Sequence, residues 1–83
     1  MEKYPKILNV KVIKPYLIEI LFENKQSKWY DFKNLLKDDN FNRLSDYNLF
    51  KNLRVSSGGY GIEWDDETDL SEAELWLNSQ NAL

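Results

Sequence analysis

The sequence predicts an α+β domain of two layers: a mostly antiparallel sheet with short helices. Three observations carry that prediction. Apolar and polar residues alternate over successive stretches before residue 33, the period of half-buried strands. The connections between those stretches are short, which suits hairpins rather than parallel crossovers. Near the end, Ser71-Glu72-Ala73-Glu74 reads as a helix start ahead of Leu75 and Trp76.

The first strand runs from Ile7 to Lys14, where Leu8, Val10 and Val12 alternate with Asn9 and Lys11. Pro15 ends it, because proline cannot donate to a ladder. The second strand runs from Tyr16 to Glu23. Tyr16, Ile18, Ile20 and Phe22 face one way, and Leu17, Glu19, Leu21 and Glu23 the other. Asn24-Lys25-Gln26 is a hairpin turn without the favoured Asn-Gly pair. Ser27 to Phe32 forms a third strand, with Tyr30 and Phe32 on one side and Trp29 and Asp31 on the other. The three make an N-terminal meander.

The middle of the chain reads as short helical turns. Phe32 to Leu36 is one, ended by Lys37-Asp38-Asp39-Asn40. Phe41 and Leu44 are expected in the core. Ser45 or Asp46 caps a second short helix carrying Leu49, Phe50 and Leu53 at helical spacing. Leu53-Arg54-Val55 and Tyr60 to Trp64 then form a C-terminal strand pair.

All three glycines, Gly58, Gly59 and Gly61, fall within four residues and mark a sharp backbone reversal or a bulge. A phosphate cradle requires a helix directly after the glycines. Here Ile62-Glu63-Trp64 follows and reads as strand, so the turn is favoured. In the capping box, the Ser71 hydroxyl accepts from the Glu74 N–H and the Glu74 side chain reaches back. Leu70 and Leu75 form the hydrophobic staple. Glu72 and Glu74 at the positive helix end each contribute about a few tenths of a kcal/mol.

The 83 residues make one domain, with an ordered core over about residues 6–78 and a frayed polar tail from Asn78. Apolar content of 42%, with three Trp, five Tyr and four Phe, supports a core and argues against disorder. The absence of cysteine excludes disulfides and thiolate metal sites. No apolar run approaches the ~18 residues of a membrane span. The start, Met1-Glu2-Lys3-Tyr4-Pro5, lacks a signal-peptide apolar region. A cytoplasmic location is expected.

The net charge of −3 conceals an asymmetry. All eleven Lys and Arg residues lie at or before Arg54, against seven of the fourteen acids; the other seven acids run from Glu63 onward with no base among them. Pairing between the two regions explains this most simply. A bipolar surface is the functional alternative: a basic face for nucleic acid or an acidic face for a basic partner.

No catalytic constellation is expected. With no His and no Cys, the usual general base near neutral pH and every thiol nucleophile are missing. No cofactor is expected. The densest carboxylates are Glu63, Asp65, Asp66, Glu67 and Asp69. They are weak candidates for Mg²⁺ or Ca²⁺, because Thr68 stands where a calcium loop needs glycine and a strand precedes it. The favoured reading is a solvated loop, with Asp69 bonded to nearby backbone N–H groups, Ser71's among them. Lys11, Lys28, Arg43 and Arg54, with Trp29 and Tyr30, are the residues available for nucleic acid. The pI near 4.8 opposes that reading. A protein-interaction module remains the main expectation. Leu17, Leu21 and Trp29 sit on the polar sides of their strands, either covered by the chain's own helices, which the sequence favours, or open to a partner.

Phe22-Glu23-Asn24, Tyr30-Asp31, Phe41-Asn42-Arg43-Leu44, Phe50, Gly61-Ile62-Glu63-Trp64 and Asp69-Leu70-Ser71 together resemble a small bacterial family catalogued as domain of unknown function 2442. The resemblance covers roughly residues 7 to 77, and the last two motifs are its most specific. It marks Gly61, Trp64, Asp69, Leu70, Ser71 and Glu74 as motif residues. Two departures occur: Lys25 replaces a usual Gly after the hairpin Asn, and Asp65-Asp66-Glu67-Thr68 lacks another. The resemblance implies no established activity. It implies a second small protein encoded nearby, the two forming a toxin–antitoxin-like pair with this chain as the antitoxin-like partner.

Overall fold

Alternation in the first third of the chain builds the larger of two antiparallel sheets. The computed structural model describes residues 4–65 and 68–81. Strands β1 (Ile7–Lys14), β2 (Leu17–Phe22) and β3 (Ser27–Asp31) form the expected meander. Val10 pairs with Ile20, Val12 with Ile18, and Ile18 with Tyr30, so these side chains share the inner face. A bulge between Ile7 and Asn9 changes the parity of β1. Simple alternation puts Leu8 inward; the extra residue instead buries Ile7 and leaves Leu8 59% exposed. A second irregularity lies between Val12 and Lys14.

Both hairpins turn on a non-glycine residue of positive φ. Tyr16 has φ 66° after Pro15, and Lys25 has φ 72°. The Tyr16 hydroxyl donates to the Ser45 carbonyl, and its ring packs at 5.1 Å from Phe50 and 6.0 Å from Tyr47. Asn24 steadies the second turn by accepting the Gln26 N–H at 3.1 Å.

The middle segment is irregular, as its mixed pattern suggests. 3-10 turns at Leu35–Lys37 and Asn42–Ser45 lead into α1 (Tyr47–Phe50). Asp46 caps α1, accepting the Asn48 N–H at 3.0 Å. Leu44 and Phe50 are fully buried, while Phe41 packs only partly against the core.

The second sheet has the order β4 (Arg54–Val55), β5 (Gly61–Asp65), β6 (Thr68–Ser71). β6 is a strand the sequence reading lacks. Thr68 and Leu70 are buried between exposed Asp69 and Ser71, a period-two pattern that the acidic composition conceals. Gly61 faces Ser71 across β5 and β6, and a Cβ there would lie 2.2 Å from the Leu70 carbonyl oxygen. Gly59, at φ 79°, also passes close to a backbone carbonyl, and a Cβ there would sit 2.6 Å from the Ile7 oxygen.

Helix α2 (Glu72–Asn78) follows β6 directly. The Ser71 hydroxyl accepts the Glu74 N–H at 3.2 Å, as the capping signal predicts. Glu74 does not reach back to complete the box. Its carboxylate instead accepts from the Tyr30 hydroxyl at 3.2 Å and from Asn78 at 2.9 Å. Leu70 and Leu75 are both buried at the staple positions. The sequence reading places a frayed tail from Asn78. Within the described part of that tail, residues 80 and 81 form a short strand, β7 (Gln80–Asn81), paired with Lys28 and Trp29 of β3, and residues 82 and 83 lie outside the described residues. Ser79 is extended, at φ −90° and ψ 164°, and turns the chain out of the helix toward the open edge of β3.

A single core joins these parts. Phe32 stands at its centre, with ring centroids 4.9 Å from Tyr30, 5.0 Å from Phe50 and 5.6 Å from Trp64. Ile18, Ile20 and Phe22 from the larger sheet meet Ile62, Trp64 and Leu70 from the smaller one, with Leu75 from α2. Trp76 closes this side over Phe22 at 5.1 Å. Among the described residues, no helix is long and apolar enough to cross a membrane.

Candidate interaction surface

Side chains that point away from the core make up the outer face of the β1-β2-β3-β7 sheet. Register sets the middle row of that face: Lys11 lies opposite Glu19, Glu19 opposite Trp29, and Trp29 opposite Gln80. Leu17 and Asp31 form a row on one side, and Leu21 and Ser27 on the other. The Glu19 carboxylate ties the middle row together. It accepts the Trp29 indole N–H at 3.0 Å and meets the Lys11 ammonium at 3.3 Å. These contacts hold its pKa below the usual carboxylate range, the indole hydrogen bond first and the Lys11 bond second; partial burial opposes them. The indole is thereby pinned across the sheet.

The sequence brings Leu17, Leu21 and Trp29 to one face, as the strand alternation predicts. It favours covering them with the chain's own helices, and there the structure differs. None of the three joins the core cluster; Leu17 and Trp29 are half-buried and Leu21 is 36% exposed. The reason is length. α1 has 4 residues and α2 has 7, and Leu75 and Trp76 spend α2 on the inner side.

At one end of this face, the β1–β2 turn and β3 enclose a cleft of about 200 Å³. Leu17 and Trp29 line it with Pro15 and Gln80, and Lys14 and Lys33 stand at its rim. Asp31 also lines it, with its carboxylate accepting the Lys33 backbone N–H at 2.8 Å.

The other candidate residues separate. Lys28 lies on the inner face, its ammonium on the Trp76 carbonyl at 2.6 Å and over the Trp76 ring at 4.3 Å. Tyr30 is buried, and its pKa is pushed up to about 12, chiefly by that burial and then by the Glu74 charge and hydrogen bond. Arg43 pairs with Asp65 at 2.7 Å and Arg54 with Glu63 at 3.0 Å. Of the residues available for nucleic acid, only Lys11 and Trp29 share the outer face. The two arginine pairs also account for part of the charge asymmetry, as contacts between the basic and acidic regions.

Of the carboxylates considered for a metal, Glu63 and Asp65 thus face arginines, and Asp66 and Glu67 lie outside the described residues. Among the described residues, no three carboxylates converge. Asp69 lies opposite Glu63 in the β5–β6 ladder and is exposed. The sequence reading bonds it to backbone N–H groups near Ser71. As a strand residue, it directs its carboxylate outward and makes no hydrogen bond among the described residues. Trp64 has the opposite character: it is 3% exposed, and its indole N–H donates to the Phe50 carbonyl at 2.9 Å. Gly61, Leu70, Ser71 and Glu74, like Trp64, make their contacts within the fold: a close strand approach, core packing, the helix cap and the Tyr30 hydrogen bond. The sequence reading misses the Glu19–Trp29 tie, which is legible only once register is known.

No curated protein and no solved structure matches the chain. A family described as protein of unknown function (DUF2442) matches residues 7–81, nearly the whole length, and to that family this chain belongs.

Proposed function

We propose that this chain is a cytoplasmic protein-interaction module, the antitoxin-like partner in a two-gene pair, which docks its small neighbour on the outer face of the larger sheet. The observation that carries the reading is the gathering of Leu17, Leu21 and Trp29 on one face outside the core. Tryptophan is enriched among residues that dominate binding energy, and a pinned indole loses little freedom on docking. The test is to co-express the chain with the product of the adjacent gene and follow both by size-exclusion chromatography. The two are expected to co-migrate. Trp29→Ala with Leu21→Ala should abolish co-migration while leaving the melting temperature within a few degrees. A neighbour that never co-migrates, or one that still binds the double variant, overturns the proposal.

A further inference from the structure

We propose that the cleft beside Trp29 takes an acidic segment of a partner protein, one apolar side chain seated over Leu17 and Trp29 with carboxylates at Lys14 and Lys33. This rests on the outer face being the docking surface and adds the chemistry of what docks there.

The size of the cleft sets the first limit. About 200 Å³ accommodates a side chain or two, whereas drug-sized ligands use about 300–1,000 Å³. Leu17, Pro15 and Trp29 give it an apolar part, beside polar groups from Asp31 and Gln80.

Charge sets the second limit. Lys14 and Lys33 make no ion pair among the described residues, whereas Glu19 takes up Lys11. Asp31 is the single carboxylate among the lining residues, so the rim is net positive in a chain of net charge −3. Glu63, Asp65 and Asp69 all lie on the smaller sheet. An approaching acidic segment is thus steered to this end of the molecule. A nucleic acid also carries negative charge, but it follows a continuous basic track. Here Lys28 is turned inward, and Arg43 and Arg54 are engaged with carboxylates on the other sheet.

The walls are preformed. The indole is held by Glu19, and Tyr16, which also lines the cleft, is anchored through Ser45, Tyr47 and Phe50. Little ordering cost remains for an occupant to meet.

The test uses the indole N–H signal of Trp29 in the ¹⁵N-labelled full chain, assigned by its loss in Trp29→Phe. Three probes are titrated separately: a peptide with one Leu flanked on both sides by Asp and Glu, the same peptide with Lys and Arg for every acid, and a thymidine oligonucleotide. The acidic peptide is expected to shift the signal saturably and the basic peptide to leave it in place. Lys14→Glu with Lys33→Glu should weaken that response about tenfold or more with an unchanged melting temperature. The proposal is overturned if the acidic peptide gives no saturable shift. It is equally overturned if the oligonucleotide or the basic peptide binds as well, or if the charge-reversed variant responds as the parent does. A neighbouring-gene product that needs Trp29 yet ignores the charge reversal keeps the docking face and removes the acidic segment.

Discussion

Replacing Trp64 by alanine tests the core where it is most interlocked. Trp64 is 3% exposed, meets Phe32 edge-on at 5.6 Å, and donates its indole N–H to the Phe50 carbonyl at 2.9 Å. Truncating a buried Trp to Ala costs about 3–5 kcal/mol through lost transfer energy and the cavity left behind. The carbonyl left without its donor adds to this, since an unmet buried polar group costs about 1–3 kcal/mol. A domain of 83 residues has a total stability of roughly 4–12 kcal/mol. One substitution therefore removes a large share of it. At about 4–8 °C per kcal/mol for a domain of this size, the melting temperature should fall by more than about 12 °C. Trp64→Phe separates the two contributions: it keeps most of the apolar volume, loses the N–H, and at about 1–3 kcal/mol should fall by about 4–24 °C and by less than the alanine variant. Thermal melts followed by circular dichroism measure both. A Trp64→Ala protein melting within a few degrees of the parent would refute the assignment of Trp64 to the core. Equal losses in the two variants would refute the division between packing and hydrogen bond.

Gly61→Ala places a Cβ 2.2 Å from the Leu70 carbonyl oxygen, so β5 and β6 must part, and denaturant unfolding should show a loss of about 3 kcal/mol. Lys25→Gly relieves a positive φ of 72° in the second hairpin; the ~1–2 kcal/mol of left-handed cost exceeds the ~0.4–1 kcal/mol of added chain freedom, so the melting temperature should rise by a few degrees. Asp69→Asn removes a like charge opposite Glu63 and should be neutral or stabilising by less than about 1 kcal/mol, whereas marked destabilisation would expose a hidden partner. The Tyr30 pKa is raised in the folded state to about 12 from an ordinary value of about 10. The folded state therefore holds the proton longer, and its contribution is full below pH ~10 and is lost as pH rises toward ~12. An ultraviolet titration should show the Tyr30 phenol ionising late, and Glu74→Gln should bring it partway back while burial retains the rest.

The meander was legible because its apolar positions recur at a strict period of two. Ile18, Ile20 and Phe22 sit where that period places them. The bulge in β1 was not legible, because a residue added to one strand leaves no mark on composition; Leu8 and Ile7 exchange roles for that reason alone. β6 offers only Thr68 and Leu70 as inward positions, too few to stand out among acids. β7 pairs through backbone groups, which Gln80 and Asn81 share with any residue. Ser71 was legible because a cap depends on neighbours three residues away. The setting of Asp69 is not legible because the same Asp-x-Ser spacing serves a loop or a strand, and only the β5 ladder decides between them. On the candidate surface, alternation assigns Leu17, Leu21 and Trp29 to a common face, but whether a helix covers that face depends on tertiary packing.

The two irregularities of β1 have a consequence for the chain among its own copies. β1 is an edge strand, and an edge of eight residues is long enough to recruit a stranger. Irregularity near either end leaves only a short regular run from Asn9 to Val12, with Lys11 in its midst. A neighbouring copy arriving in register meets a kink in both directions and a charge between them. That edge of the sheet is thus guarded against pairing with a further strand and growing sideways into a fibre.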